Sequence, residues 1–173
     1  PAVVLLDEPF TALDHSLRAR LRADVAAVIR HEAATAVIVT HDPAEAMAMA
    51  DTIAVMRAGR IVQTAPSRQL YTTPTDAVTA GMLGDVVVLR GTRDGDVVAT
   101  AIGPVPAPPG TMGSPGDVVD VVLRPEQIRR ASPGVVAHVV DVEFHGHDGL
   151  VTLDAAGTTV RARWASAELP SPG

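Results

Sequence analysis

The chain has 173 residues, a 47% hydrophobic fraction and a formal net charge of −6, enough apolar material for one ordinary domain or two small ones and too much for disorder throughout. The acid excess and the 2% aromatic content leave no basic footprint for nucleic acid or anionic lipid and no stacking platform for single strands. The absence of cysteine excludes a disulfide scaffold or thiolate metal site, no apolar run approaches the ~20 residues of a membrane span, and a signal peptide is not expected from the opening residues.

Ala2-Val3-Val4-Leu5-Leu6 is an uninterrupted apolar run that ends in Asp7-Glu8-Pro9. Such a run predicts a strand buried on both faces, as in a parallel sheet, and the proline stops it. Two acids then arrive at the carboxyl end of a central strand, where open α/β sheets bind ligands. In nucleotide enzymes one such acid holds Mg²⁺, usually through water, and its neighbour orients or deprotonates the attacking water. Leu17, Leu21, Val25, Val28 and Ile29 form one stripe at helical period, and Asp14 is placed to cap that helix. Thr35 to Thr40 predicts a second buried strand. It runs into His41 and then Asp42-Pro43-Ala44-Glu45, a capping-box start for a helix through about Ala50. Strand–helix–strand order favours a parallel pair with a right-handed crossover, so His41 is expected at the edge that Asp7 and Glu8 line. Ile53 to Gln63 reads as a hairpin with a Gly-containing turn over Arg57-Ala58-Gly59-Arg60. Short helices follow from about Pro66 to Tyr71 and from Asp76 to Leu83.

These residues carry a family resemblance. Val3 to Pro9 resembles the Walker B strand of an ABC transporter ATPase subunit. Phe10-Thr11-Ala12-Leu13-Asp14 is similar to its D-loop, with Thr11 where serine is commoner, and Thr40-His41-Asp42 resembles its switch histidine. By that resemblance Asp7 helps hold Mg²⁺, Glu8 is the general base for water attacking the γ-phosphate of ATP, and His41 contacts that phosphate. Asp14 acts across the interface with a second ATPase subunit, with Ala12 and Leu13 packed nearby. All 14 basic residues are arginine, and the chain has neither the lysine nor the Gly-rich turn of a P-loop. The family's Walker A loop, Q-loop and LSGGQ-type signature are expected upstream of Pro1, as in the carboxyl-terminal part of a longer protein. The chain alone is expected neither to bind ATP tightly nor to hydrolyse it.

From Asp85 the pattern changes to short strands: Val86–Leu89, Val97–Thr100, Val118–Leu123, Val135–Val142, Leu150–Leu153 and Thr158–Trp164. Regular spacing of short strands predicts a small β-barrel or sandwich. Ala107 to Gly116 is too rich in Pro and Gly for regular structure. Leu123-Arg124-Pro125-Glu126-Gln127-Ile128 is similar to a segment of the OB-like TOBE regulatory domain that follows some importer ATPases. His145-Gly146-His147-Asp148 invites a metal reading, but it falls between two strands, Gly146 and Gly149 suit a hairpin turn, and no third or fourth ligand is near in sequence.

The expected fold is α/β over residues 1–84, the carboxyl-terminal half of a P-loop ATPase with a parallel sheet and helices. A small all-β OB-like barrel domain over 85–173 follows it. The resemblance implies an ATP-binding subunit of an ABC importer at the cytoplasmic face of the membrane. ATP and Mg²⁺ would be its cofactors. A second ATPase subunit and membrane permease subunits would be its partners, with a substrate-binding protein contributing indirectly and no nucleic acid. Ferric iron is the favoured cargo because the short, divergent β-domain looks like that subgroup, with sugars and polyamines behind. The alternative is a non-catalytic regulatory or interaction module. A DNA-remodelling ATPase explains Asp7-Glu8 but not the register of Asp14 and His41.

Overall fold

A computed structural model describes residues 3–11, 14–107 and 113–170. Ala2, Ala12, Leu13 and the middle of the Pro/Gly-rich loop, on which sequence expectations also fell, lie outside the described residues. The chain divides into two compact units, Pro1–Gly84 and Asp85–Gly173.

The first unit is mixed α/β. Strand β1 (Val3–Asp7), helix α1 (His15–His31) and strand β2 (Thr35–Val39) form the expected crossover, and β1 pairs with β2 in parallel from Val3↔Thr35 to Asp7↔Val39. Helix α2 (Pro43–Met49) follows, then the hairpin of β3 (Ile53–Arg57) and β4 (Arg60–Ala65). Ala58 and Gly59 both take positive φ, 49° and 73°, the backbone a tight hairpin turn requires. Helices α3 (Ser67–Thr72) and α4 (Ala77–Met82) close the unit. Its core gathers Ile53, Val55, Ala65, Leu70 and Leu83, with Tyr71 packed against them.

Two expectations need correction here. β1 and β2 are not buried on both faces: Val3, Leu5, Val37 and Val39 are exposed, Leu5 at 76%. Alternate residues of each strand point to opposite faces, and only the face carrying Val4, Leu6, Ala36 and Ile38 is partly covered. The α1 stripe is likewise broader on paper than in the fold. Leu21, Val25 and Ile29 are half-buried, whereas Leu17 and Val28 are exposed.

The second unit is all-β and barrel-like. β5 (Val87–Asp94), β6 (Val97–Thr100), β7 (Gly103–Pro106) and β8 (Val118–Leu123) form an antiparallel sheet ordered β7-β6-β5-β8. β9 (His138–Phe144), β10 (Asp148–Ala155) and β11 (Thr158–Ala165) form a second sheet ordered β11-β10-β9. Val87 and Leu89 from the first sheet and Val151, Leu153, Val160, Ala162 and Trp164 from the second share one core with Ile128. The short strand expected over Val86–Leu89 runs on to Asp94 because Gly91 admits β6: a Cβ there would sit 2.5 Å from the Ala99 carbonyl oxygen. β7 was not expected, since Pro104 and Pro106 argue against a strand; it is an edge strand, where missing N–H donors cost nothing. β9 starts at His138, not Val135.

Candidate active site

The parallel register sets the site. Asp7 ends β1 opposite Val39, and the Glu8 N–H donates to the Val39 carbonyl at 2.9 Å, so one further ladder step carries Glu8 to the edge where β2 ends. There the Nδ1 of His41 lies 2.8 Å from both carboxylate oxygens of Glu8. These residues are 33 apart in sequence, and only the parallel pairing brings them together. Glu8 takes φ 46°, a left-handed conformation that costs a non-glycine residue on the order of 1–3 kcal/mol and tends to occur at functional sites. Pro9 and Phe10 turn the chain so that the Thr11 hydroxyl donates to Glu8 Oε2 at 2.8 Å. Phe10 is buried and anchors that turn.

His41 and Glu8 shift each other's titration. The hydrogen bonds from His41 and then from Thr11 favour the carboxylate and lower the Glu8 pKa. The same bond, accepted by Glu8, followed by the Glu8 charge and those of Asp42 and Glu45, raises the His41 pKa. The edge is thus an acid–imidazole pair disposed to exist as an ion pair.

The turn bearing His41 is held by a relay that was not foreseen. The Asp42 N–H donates to Thr40 Oγ1 at 3.0 Å, and the Thr40 hydroxyl donates to Glu45 Oε2 at 2.8 Å. Asp42 caps α2 as expected, its Oδ1 accepting from the Ala44 N–H at 2.8 Å. Glu45, expected to close a capping box on the Asp42 N–H, reaches it only through the Thr40 hydroxyl and is buried in doing so. Asp14 Oδ1 accepts from the Leu17 N–H at 2.8 Å and is the N-cap of α1. Ala12 and Leu13, expected beside it, are outside the described residues.

Carboxylate oxygens suit Mg²⁺ held through water. Of the two acids, Glu8 is engaged by His41 and Thr11, whereas Asp7 is exposed on the same edge. Asp7 is therefore the residue that fits a hydrated cation. No cluster of three or more His, Cys, Asp or Glu able to hold a metal ion directly occurs among the described residues. For the phosphates of a nucleotide the fit is one-sided, because the lysine that grips them is not in this sequence.

In the second unit the His145–Asp148 segment forms the β9–β10 turn, closed by the His145 N–H donating to the Asp148 carbonyl at 2.9 Å. Gly146 has φ 90° as a turn glycine. Gly149 serves differently from the turn role expected of it: it lies in β10, where a Cβ would come within 2.8 Å of the Glu143 carbonyl oxygen and of Leu169. The Asp148 carboxylate accepts from Arg163 at 3.1 Å and is held below its usual range by that bond.

A strand-end acid facing a strand-end histidine on a parallel α/β edge, followed by a barrel-like β-unit, is the layout expected of an importer-type ATPase's later half. The chain is 46% identical over 156 residues to the Fe(3+) ions import ATP-binding protein FbpC 1 of Rhodococcus jostii, a match covering 88% of this chain and 44% of that protein. It is 39% identical over 166 residues to the Fe(3+) ions import ATP-binding protein FbpC of Pseudomonas fluorescens, covering 91% and 45%. To the protein of the same name from Yersinia pseudotuberculosis it is 36% identical over 177 residues, covering 97% and 50%. No family model matches the chain. The chain belongs to the ABC importer ATP-binding proteins and corresponds to their carboxyl-terminal part. It spans about half the length of the curated relatives it matches.

Proposed function

We propose that this chain is the carboxyl-terminal part of the ATP-binding subunit of a ferric iron importer. What supports the iron reading is the import named for each of the three relatives above. The reading of the site rests on one observation, the contact between Glu8 and His41 at the end of the parallel pair. Glu8 would accept the proton of the attacking water, and His41 would hold that carboxylate in place and meet the terminal phosphate. Asp7 would hold Mg²⁺ through water; bound there, the ion supplies charge neutralisation for the phosphates. Asp14 would serve the contact with a second ATPase subunit. The exposed apolar face of Val3, Leu5, Val37 and Val39 is where the rest of such a subunit would pack. Residues 1–84 would be ATPase and 85–173 a TOBE-type regulatory domain. Permease subunits in the membrane would convert closure and reopening of the ATPase pair into transport, with the protein docked at the cytoplasmic side.

The test is a chimera joining the amino-terminal part of the Rhodococcus jostii relative to this chain. It is expected to hydrolyse ATP, with Glu8→Gln lowering kcat by about 100-fold or more, the usual scale of a lost general base. An unchanged rate in Glu8→Gln overturns the assignment. A second reading, a non-catalytic regulatory or interaction module, draws on the lysine-free sequence. It predicts that the chimera binds the permease but that its hydrolysis rate is indifferent to Glu8 and His41.

A further inference from the structure

Protein interiors rarely leave voids much larger than a water molecule, yet the two sheets of the β-unit enclose an open cavity of about 670 Å³. That volume lies in the range of small-molecule sites. The floor is core: Leu153, Val160 and Trp164 line it and are buried. Val135 and Val139 form part of the mouth and are exposed. Arg129 and Arg130 stand at the same mouth, exposed, in a chain of net charge −6. Neither forms an ion pair among the described residues. A polar cleft of about 420 Å³ continues past both arginines and Trp164 to Arg163, Glu126 and Glu168. Arg163 is already committed to Asp148 and Asp85.

Trp164 is fixed in this wall. Its indole N–H donates to the Ile128 carbonyl at 2.8 Å, and the Arg130 guanidinium lies 4.6 Å from the ring centre, within cation–π range. An apolar chamber with two cations at its opening matches a ligand with an apolar body and one anionic head. We propose that this cavity binds a small anionic amphiphile, a carboxylate whose body lies on Leu153 and Val160 and whose head meets Arg129 and Arg130. An arginine–carboxylate contact at this mouth gives both orientation and selectivity for the anion.

Trp164 is the chain's single tryptophan, so its emission reads occupancy of the cavity without a label. Sodium decanoate, titrated into the full chain below its micelle concentration, is expected to give a saturable change in that emission. Decanol, which has the body without the charge, and sulfate, which has charge without the body, are expected to give little. The double variant R129Q/R130Q should weaken decanoate binding by about tenfold or more, which is ~1.4 kcal/mol. V135E, which places a negative charge at the mouth and leaves the core intact, should do the same with an unchanged far-ultraviolet dichroism spectrum. No saturable change, an equal response to decanol, or undiminished affinity in V135E overturns the proposal.

Discussion

β1 (Val3–Asp7) and β10 (Asp148–Ala155) both carry valine and leucine, four of five residues in β1 and three of eight in β10, and they end in opposite environments. In β10 Leu150, Val151, Leu153 and Ala155 are buried, Val151 completely. β10 has a strand on each edge and shares its core with β5. In β1 no residue is buried, and β2 is its one ladder partner among the described residues. Apolar composition states what gains by burial; it does not state what is present to bury it. The comparison also separates stability from chemistry. The acid–histidine pair stands at the ends of two strands that bury no residue fully, and the larger buried core lies in the unit without it.

The largest effect that would break this comparison is separation. Residues 85–173 alone are expected to melt cooperatively, whereas 1–84 alone should bind a hydrophobic dye and melt without a sharp transition. A sharp, reversible melt of 1–84 would erase the distinction. Single substitutions sharpen it. Leu89, 2% exposed, should lose about 2–5 kcal/mol as Leu89→Ala, the range for a large-to-small change in a packed core. Leu5→Ala, on the exposed face, should stay within about 0.5 kcal/mol. Urea unfolding of the full chain measures both, and similar losses would contradict the burial difference.

Much of the site was legible because it depends on short-range pattern. Asp7-Glu8-Pro9, Asp14 and Thr40-His41-Asp42 are local signals, and the right-handed crossover rule then places both strand ends on one edge. Thr11 and the Thr40–Glu45 relay were missed because hydroxyl partners depend on turn geometry that sequence does not fix. Thr11 lies three residues beyond Glu8 across a proline, which was the one available clue. In the β-unit the short strands were readable from spacing, but β7 was hidden by its prolines and the extent of β5 by Gly91, whose need is set by a neighbouring strand. The cavity left no local mark, since its lining is drawn from both sheets.

The smallest predicted effect is the most specific to the site. His41 should titrate above its usual value of 6.5 and Glu8 below its usual 4.5, each because of the other. A histidine whose folded pKa is raised contributes stability fully below its unfolded pKa and loses it as pH rises through the folded value. A carboxylate whose folded pKa is lowered contributes above its unfolded pKa and loses the contribution as pH falls through the folded value. The pair is therefore complete from just above the usual Glu range to just below the usual His range, and it fades on either side. His41 is exposed and Glu8 half-buried, so salt should weaken the coupling. Proton-detected titration of the His41 ring in the full chain measures it directly. Glu8→Gln should bring the His41 pKa back toward its usual value, and Thr11→Val should leave it raised, since Thr11 contacts only the carboxylate. A His41 titration indifferent to Glu8→Gln would mean that the 2.8 Å contact does not persist in solution, and the site would reduce to two acids and a histidine at neighbouring strand ends.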